Sequence, residues 1–130
     1  MPSPVQILLV EDNLVNQKVA LQQLKKLGYS VAVANNGEEA IHKVNEQEYA
    51  LILMDCQMPR VDGFEATRRI RQQEAIHGGR VPIVAMTANA MEGDRENCLN
   101  AGMDDYIPKP VRISQLSEVI GRWMTEDASP

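Results

Sequence analysis

The chain has 130 residues, 44% of them hydrophobic and 24% charged, with a formal net charge of -5. A chain this long buries roughly two-thirds of its unfolded surface, so one domain with one ordinary core is expected, without a disulfide framework or structural metal. The acidic balance argues against a general nucleic-acid binder, whose affinity rests on clustered Lys and Arg that displace counterions.

Two cysteines, Cys56 and Cys98, are too few for a secreted scaffold and too far apart for a CxxC motif, so both are read as free thiols in a reducing compartment. No apolar run approaches the roughly 18 to 20 residues of a membrane span. The start, Met1-Pro2-Ser3-Pro4, lacks the basic and apolar regions of a signal peptide. A cytoplasmic protein with no direct membrane contact is expected.

In chain order, Val5 to Val10 is a nearly continuous apolar segment of strand length, as a strand covered on both faces should be. Val15, Val19, Leu24 and Leu27 then follow helical spacing up to Gly28, which can stop a helix in the left-handed conformation. A weaker strand, Val31 to Ala34, follows. Asn36-Gly37 alone would suggest a hairpin, but Ala40, Ile41 and Val44 repeat at helical spacing and predict a second helix instead.

Ala50 to Met54 is the third strand, and a third helix follows Asp62-Gly63 with Phe64, Thr67 and Ile70 on one side. Its Arg68, Arg69 and Arg71 are read as a solvated face. Val81 to Met86 is the fourth strand, about Ala90 to Ala101 the fourth helix, Tyr106-Ile107 the centre of the fifth strand and about Ser114 to Met124 the fifth helix. Alternating strands and helices predict an α/β domain with a parallel sheet over residues 5–125, between linker stubs at 1–4 and 126–130. His42 and His77 lie in polar helical surroundings and are read as surface residues.

Ligands of open α/β sheets bind outside the carboxyl ends of the strands. Here those ends carry Glu11-Asp12, Asp55, Thr87 and, after the fifth strand, Lys109. Glu11-Asp12 alone is also what a helix N-terminus attracts, Lys109 alone a surface lysine and Thr87 alone a turn residue. Three converging carboxylates repel unless they share a cation. All-oxygen ligands select a hard ion, with Mg²⁺ preferred because it keeps waters and binds phosphate oxygens. Asp55, directly after an apolar run, has no evident partner except that ion, and a carboxylate can also act as a nucleophile towards phosphorus.

Leu8-Leu9-Val10-Glu11-Asp12-Asn13, Met54-Asp55-Cys56-Gln57-Met58-Pro59-Arg60-Val61-Asp62-Gly63, Ala85-Met86-Thr87-Ala88 and Lys109-Pro110 occur in that order, and through them nearly the whole chain resembles the receiver domains of two-component response regulators. The resemblance implies a flavodoxin-like (βα)5 domain with a five-stranded parallel sheet of order 2-1-3-4-5. It implies that Asp55 accepts a phosphoryl group from a phosphohistidine. Mg²⁺ would be held by Asp12, Asp55 and the backbone carbonyl of Gln57, with Glu11 acting largely through bound water, and Lys109 would contact the phosphoryl group.

Thr87 and Tyr106 would form the switch that alters the face from helix four to helix five. Gln57 and Asn89 would tune dephosphorylation, and Lys109-Pro110 would be a cis peptide. The wording around Asn16 and Asn89 is similar to receivers of hybrid sensor histidine kinases. Partners would then be a histidine kinase or a histidine phosphotransfer protein, and the family allows a phosphorylation-dependent homodimer.

Two other classes share parts of this pattern. Aspartate-nucleophile phosphatases need a second Asp two residues after the first as general acid and base, and that position is Gln57, so a signalling phosphoacceptor is expected rather than a multiple-turnover enzyme. A flavin carrier needs a phosphate-binding loop after strand one, where Glu11-Asp12 would repel the phosphate. A degenerate receiver would lack the acceptor or the lysine, and both are present. With no output domain after helix five, a stand-alone regulator or a domain excised from a larger protein is expected.

Overall fold

The computed structural model describes residues 7–56, 63–87, 92–109 and 111–124. Strands β1 (Ile7–Val10), β2 (Val31–Ala34), β3 (Leu51–Asp55), β4 (Ile83–Thr87) and β5 (Asp105–Pro108) alternate with helices α1 (Leu14–Lys26), α2 (Gly37–Glu46), α3 (Gly63–His77), α4 (Glu92–Ala101) and α5 (Ile113–Met124). The strands form one parallel sheet in the order β2-β1-β3-β4-β5. This is the order expected from the resemblance.

Continuous apolar runs become central strands because both faces are covered. Leu8, Val10, Ile52, Met54, Ile83 and Ala85 pack with Ala40, Ala66, Ile70 and Cys98 on the side of α2, α3 and α4. Ile7, Leu9, Leu51, Leu53, Val84 and Met86 pack with Ala20, Leu24, Leu116 and Ile120 on the side of α1 and α5. The period-two alternation of strand side chains divides one strand between two cores.

Helix starts follow the local chemistry. Asn13 caps α1, its Oδ1 accepting from Asn16 N at 3.0 Å, and Asn36 caps α2 by accepting from Glu39 N at 2.8 Å. Asn36-Gly37 therefore opens a helix, not a hairpin. Among the described residues no helix is long and apolar enough to cross a membrane.

The apolar spacing that marks α1 marks its buried face only at Leu24 and Leu27. Val15 and Val19 are exposed, at 69% and 47%, while Gln17, Ala20 and Leu24 turn inward. Arg71 departs from the expected solvated face of α3. Arg68 and Arg69 are exposed and pair with Glu65, but the Arg71 side chain is only 13% exposed. Its guanidinium donates to Glu74 Oε1, Val81 O, Asp104 Oδ2 and Gly102 O at 2.7 to 2.9 Å. Gly102 has φ +109°, and a Cβ there would lie 2.9 Å from Arg71 Cγ, so the turn after α4 needs glycine for its conformation and for its space. The planar five-donor fork explains why an arginine is turned in: one side chain satisfies two carboxylates and two carbonyls that join α3, the turn after α4 and the segment before β4.

Candidate functional site

The acidic residues meet at the carboxyl edge of the sheet, where β1 has β2 on one side and β3 on the other. This is the topological switch point at which open α/β sheets place their ligands. Val10 pairs with Met54 in register, so the next residues along, Glu11 and Asp55, emerge side by side. Asp55 and Thr87 are the last residues of β3 and β4 and do not lie beyond them. Glu11, Asp55 and Thr87 are buried, whereas Asp12 is exposed.

Glu11, Asp12 and Asp55 each offer a carboxylate oxygen, and these atoms lie within 4.8 Å of one another. Lys109, just past β5, lays its ammonium against the group, with Nζ 2.8 Å from Asp55 Oδ1 and 3.5 Å from Glu11 Oε2. The sequence offered Asp55 only the shared cation as a partner, and the structure adds Lys109. The Lys109 backbone N–H donates to Thr87 O at 2.8 Å, which ties the lysine to the end of β4.

The electrostatics follow from this crowding. Burial raises the pKa of Glu11 above the ordinary carboxylate value, and the hydrogen bond and charge of Asp55 raise it further against the opposing pull of Lys109. Burial alone would lower Lys109, but the hydrogen bond and charge of Asp55, with the charge of Glu11, outweigh it and hold the ammonium protonated to higher pH. Two buried carboxylates against one ammonium leave an excess of negative charge. An all-oxygen set with that excess fits a hard divalent cation, and the exposure of Asp12 leaves the group open to solvent.

Tyr106, on β5, is half-buried and packs against the core on the α2–α4 side. Gln57, Asn89 and Pro110 lie outside the described residues. His42 and His77 are exposed.

Two features of the site were not legible as such in the sequence. Gly63, read as preceding the third helix and as the last residue of the run from Met54 that carries the resemblance, lies where an added Cβ would overlap the Asp55 carbonyl oxygen and sit 3.0 Å from Cys56 Cα. Its lack of a side chain lets α3 start against the end of β3, and a glycine eight residues after the acid was the available signal. Cys56 and Cys98, 42 residues apart, meet with their Sγ atoms at 4.0 Å. Neither is in a disulfide and both are buried, and burial together with the neighbouring thiol pushes the Cys56 pKa up, away from thiolate reactivity.

Residues 7–121 match the response regulator receiver domain, and the chain belongs to that family. Among curated relatives it is 45% identical over 121 residues to the hybrid signal transduction protein dokA of Dictyostelium discoideum, covering 93% of this chain and 7% of that protein. The chain spans 6 to 7% of the length of the first such relatives, which include two hybrid histidine kinases.

Among solved structures, it is similar to the receiver domain of a sensor histidine kinase from Pseudomonas aeruginosa PAO1 with magnesium coordinated in the active-site cleft. The TM-score is 0.85 at 50% identity, covering 95% of this chain and 99% of that one. It is also similar to a structure of the Saccharomyces cerevisiae phosphotransfer protein Ypd1 with the receiver domain of the response regulator Ssk1, with TM-score 0.88 and 37% identity, covering 93% and 90%.

Proposed function

We propose that this receiver takes a phosphoryl group from a phosphohistidine onto Asp55 and thereby changes its protein contacts. The observation that carries this reading is the convergence of Asp55 with Glu11, Asp12 and Lys109 at the carboxyl edge. In the transfer an Asp55 carboxylate oxygen forms a bond to phosphorus as the phosphorus–nitrogen bond breaks, and the imidazole leaves as the neutral base once protonated. Little covalent work falls to the protein, which positions groups and offsets charge.

Asp12, Asp55 and the Gln57 carbonyl would hold Mg²⁺ directly, with Glu11 acting largely through bound water. The ion supplies charge stabilisation to the phosphoryl oxygens. The magnesium-bound Pseudomonas relative supports this assignment. Lys109, freed from Asp55, holds a phosphoryl oxygen, and the Thr87 hydroxyl takes another.

Tyr106 then turns into the space that Thr87 leaves, altering the α4–β5–α5 face. Gln57 and Asn89 set the lifetime of the acyl phosphate. With Gln57 where a phosphatase needs an acid, the chain is a signalling phosphoacceptor and not a multiple-turnover enzyme.

The donor is a histidine kinase or a histidine phosphotransfer protein, and the parent protein is a hybrid histidine kinase, as its curated relatives suggest. Leu14, Val15 and Val19 form an exposed apolar ridge on α1 beside the acidic edge. Such a ridge suits the apolar flank of a helical donor better than water.

Incubation with a phosphohistidine donor protein labelled in its phosphoryl group tests the reading. Label should appear on the wild type and not on Asp55→Ala. Equal labelling of the variant would refute it.

A further inference from the structure

We infer that Gln17 is a positioning residue for divalent-cation binding, an inference that rests on the receiver reading above. Gln17 is 7% exposed, on the inward face of α1 where the helix would otherwise present an apolar side chain. Its Nε2 donates to the backbone carbonyl of Glu11 and, at 2.7 Å, to Asn35 Oδ1 in the loop after β2. Asn35 is held in turn, because its N–H and its Nδ2 both donate to Glu39 Oε1, at 3.0 and 3.2 Å. A continuous chain of hydrogen bonds therefore runs from the acidic loop through α1 to the start of α2.

The carbonyl that Gln17 holds belongs to the peptide joining Glu11 to Asp12. That peptide is planar, so fixing its oxygen fixes the direction in which the Asp12 Cα leaves. The preceding peptide is fixed as well, because Glu11 N donates to Ala34 O at 3.1 Å. Held on both sides, Glu11 keeps its carboxylate between Asn13 N, Asn16 Nδ2 and Lys109, at 3.3, 3.3 and 3.5 Å.

Asp12 is exposed and gains its place from this anchored backbone. Without Gln17 the Glu11 carbonyl loses its buried donor, the peptide turns to find another, and Asp12 swings with it. Groups that orient metal ligands without touching the metal typically change affinity by about 10- to 100-fold when removed.

The test is titration with Mg²⁺ alone, followed by backbone amide shifts, at a temperature where each variant is fully folded by circular dichroism. Gln17→Met keeps the length and loses both donors. Asn35→Ala, at an exposed position, removes only the far end of the chain and serves if Gln17→Met does not fold.

The expected result is a Mg²⁺ dissociation constant raised about 10- to 100-fold in Gln17→Met and less in Asn35→Ala, with the Asp12 amide already displaced before Mg²⁺ is added. A merely structural role predicts lower melting temperatures with wild-type Mg²⁺ affinity in both variants, and that result overturns the inference while leaving the receiver reading intact. A wild type with no saturable response to Mg²⁺ overturns the receiver reading and this inference together.

Discussion

Lys109 Nζ lies 2.8 Å from Asp55 Oδ1, so the buried acid at the end of β3 is neutralised by a residue 54 positions away, just past the edge strand. This pair competes with any cation at the same carboxylates. Lys109→Met should therefore strengthen Mg²⁺ binding, by on the order of tenfold at the effective dielectric of a partly buried pair, while slowing phosphoryl acceptance. Mg²⁺ titration and phosphorylation rate, measured on the same variant, check the opposed directions.

The raised pKa of Glu11 gives a pH dependence with a definite sign. Between the ordinary glutamate value and the raised one, the folded chain holds a proton that the unfolded chain releases. This group thus favours folding on the acid side, and its contribution is lost as pH rises through the folded pKa. Mg²⁺ requires the carboxylate form, so its stabilising effect grows over the same rise. Melting temperatures across mildly acid to neutral pH should show the Mg²⁺-induced increment widening with pH.

Val15 is 69% exposed, so replacing it with Asp leaves the core untouched. If the α1 ridge seats the donor, Val15→Asp slows transfer from a phosphohistidine protein by about tenfold, as loss of a central apolar contact does. Phosphorylation by a small acyl phosphate, which needs no docking, stays at the wild-type rate. Parallel rate measurements with the two donors separate the effects.

Gly63 leaves no room for a methyl group against Asp55 and Cys56. Gly63→Ala must push α3 away from the end of β3, costing about 1–3 kcal/mol as overpacking does. Denaturant unfolding gives the loss. Amide shifts should move at Asp55 and Cys56 and remain unchanged at the far end of α5.

These residues also show which parts of the molecule are readable before folding. The three central strands were legible because each is covered on both faces, which leaves an apolar run such as Leu51 to Met54 and an abrupt acid at its end. Glu11 and Asp55 stood out for the same reason, as acids at the ends of apolar runs, whereas Thr87 and Lys109 read singly as a turn residue and a surface lysine.

The inward face of the first half of α1 was not legible, because Gln17 is buried to hold the Glu11 carbonyl and Val15 is left outside. Arg71 reads as a solvated charge until the turn at Gly102 and the carboxylate of Asp104 are brought to it. The contact of Cys56 with Cys98 exists only once α4 is packed on the sheet. In each case the missing information is a hydrogen bond or contact that the helix makes outside its own turns, which local periodicity does not encode.

Every role proposed for this site turns on phosphoryl acceptance by Asp55. Its most direct test is intact mass after incubation with a small-molecule acyl phosphate, with and without Mg²⁺, on the wild type and Asp55→Asn. The expected result is a gain of one phosphoryl group that requires Mg²⁺ and is absent in Asp55→Asn. An equal gain in the variant, or the same gain without Mg²⁺, would contradict it.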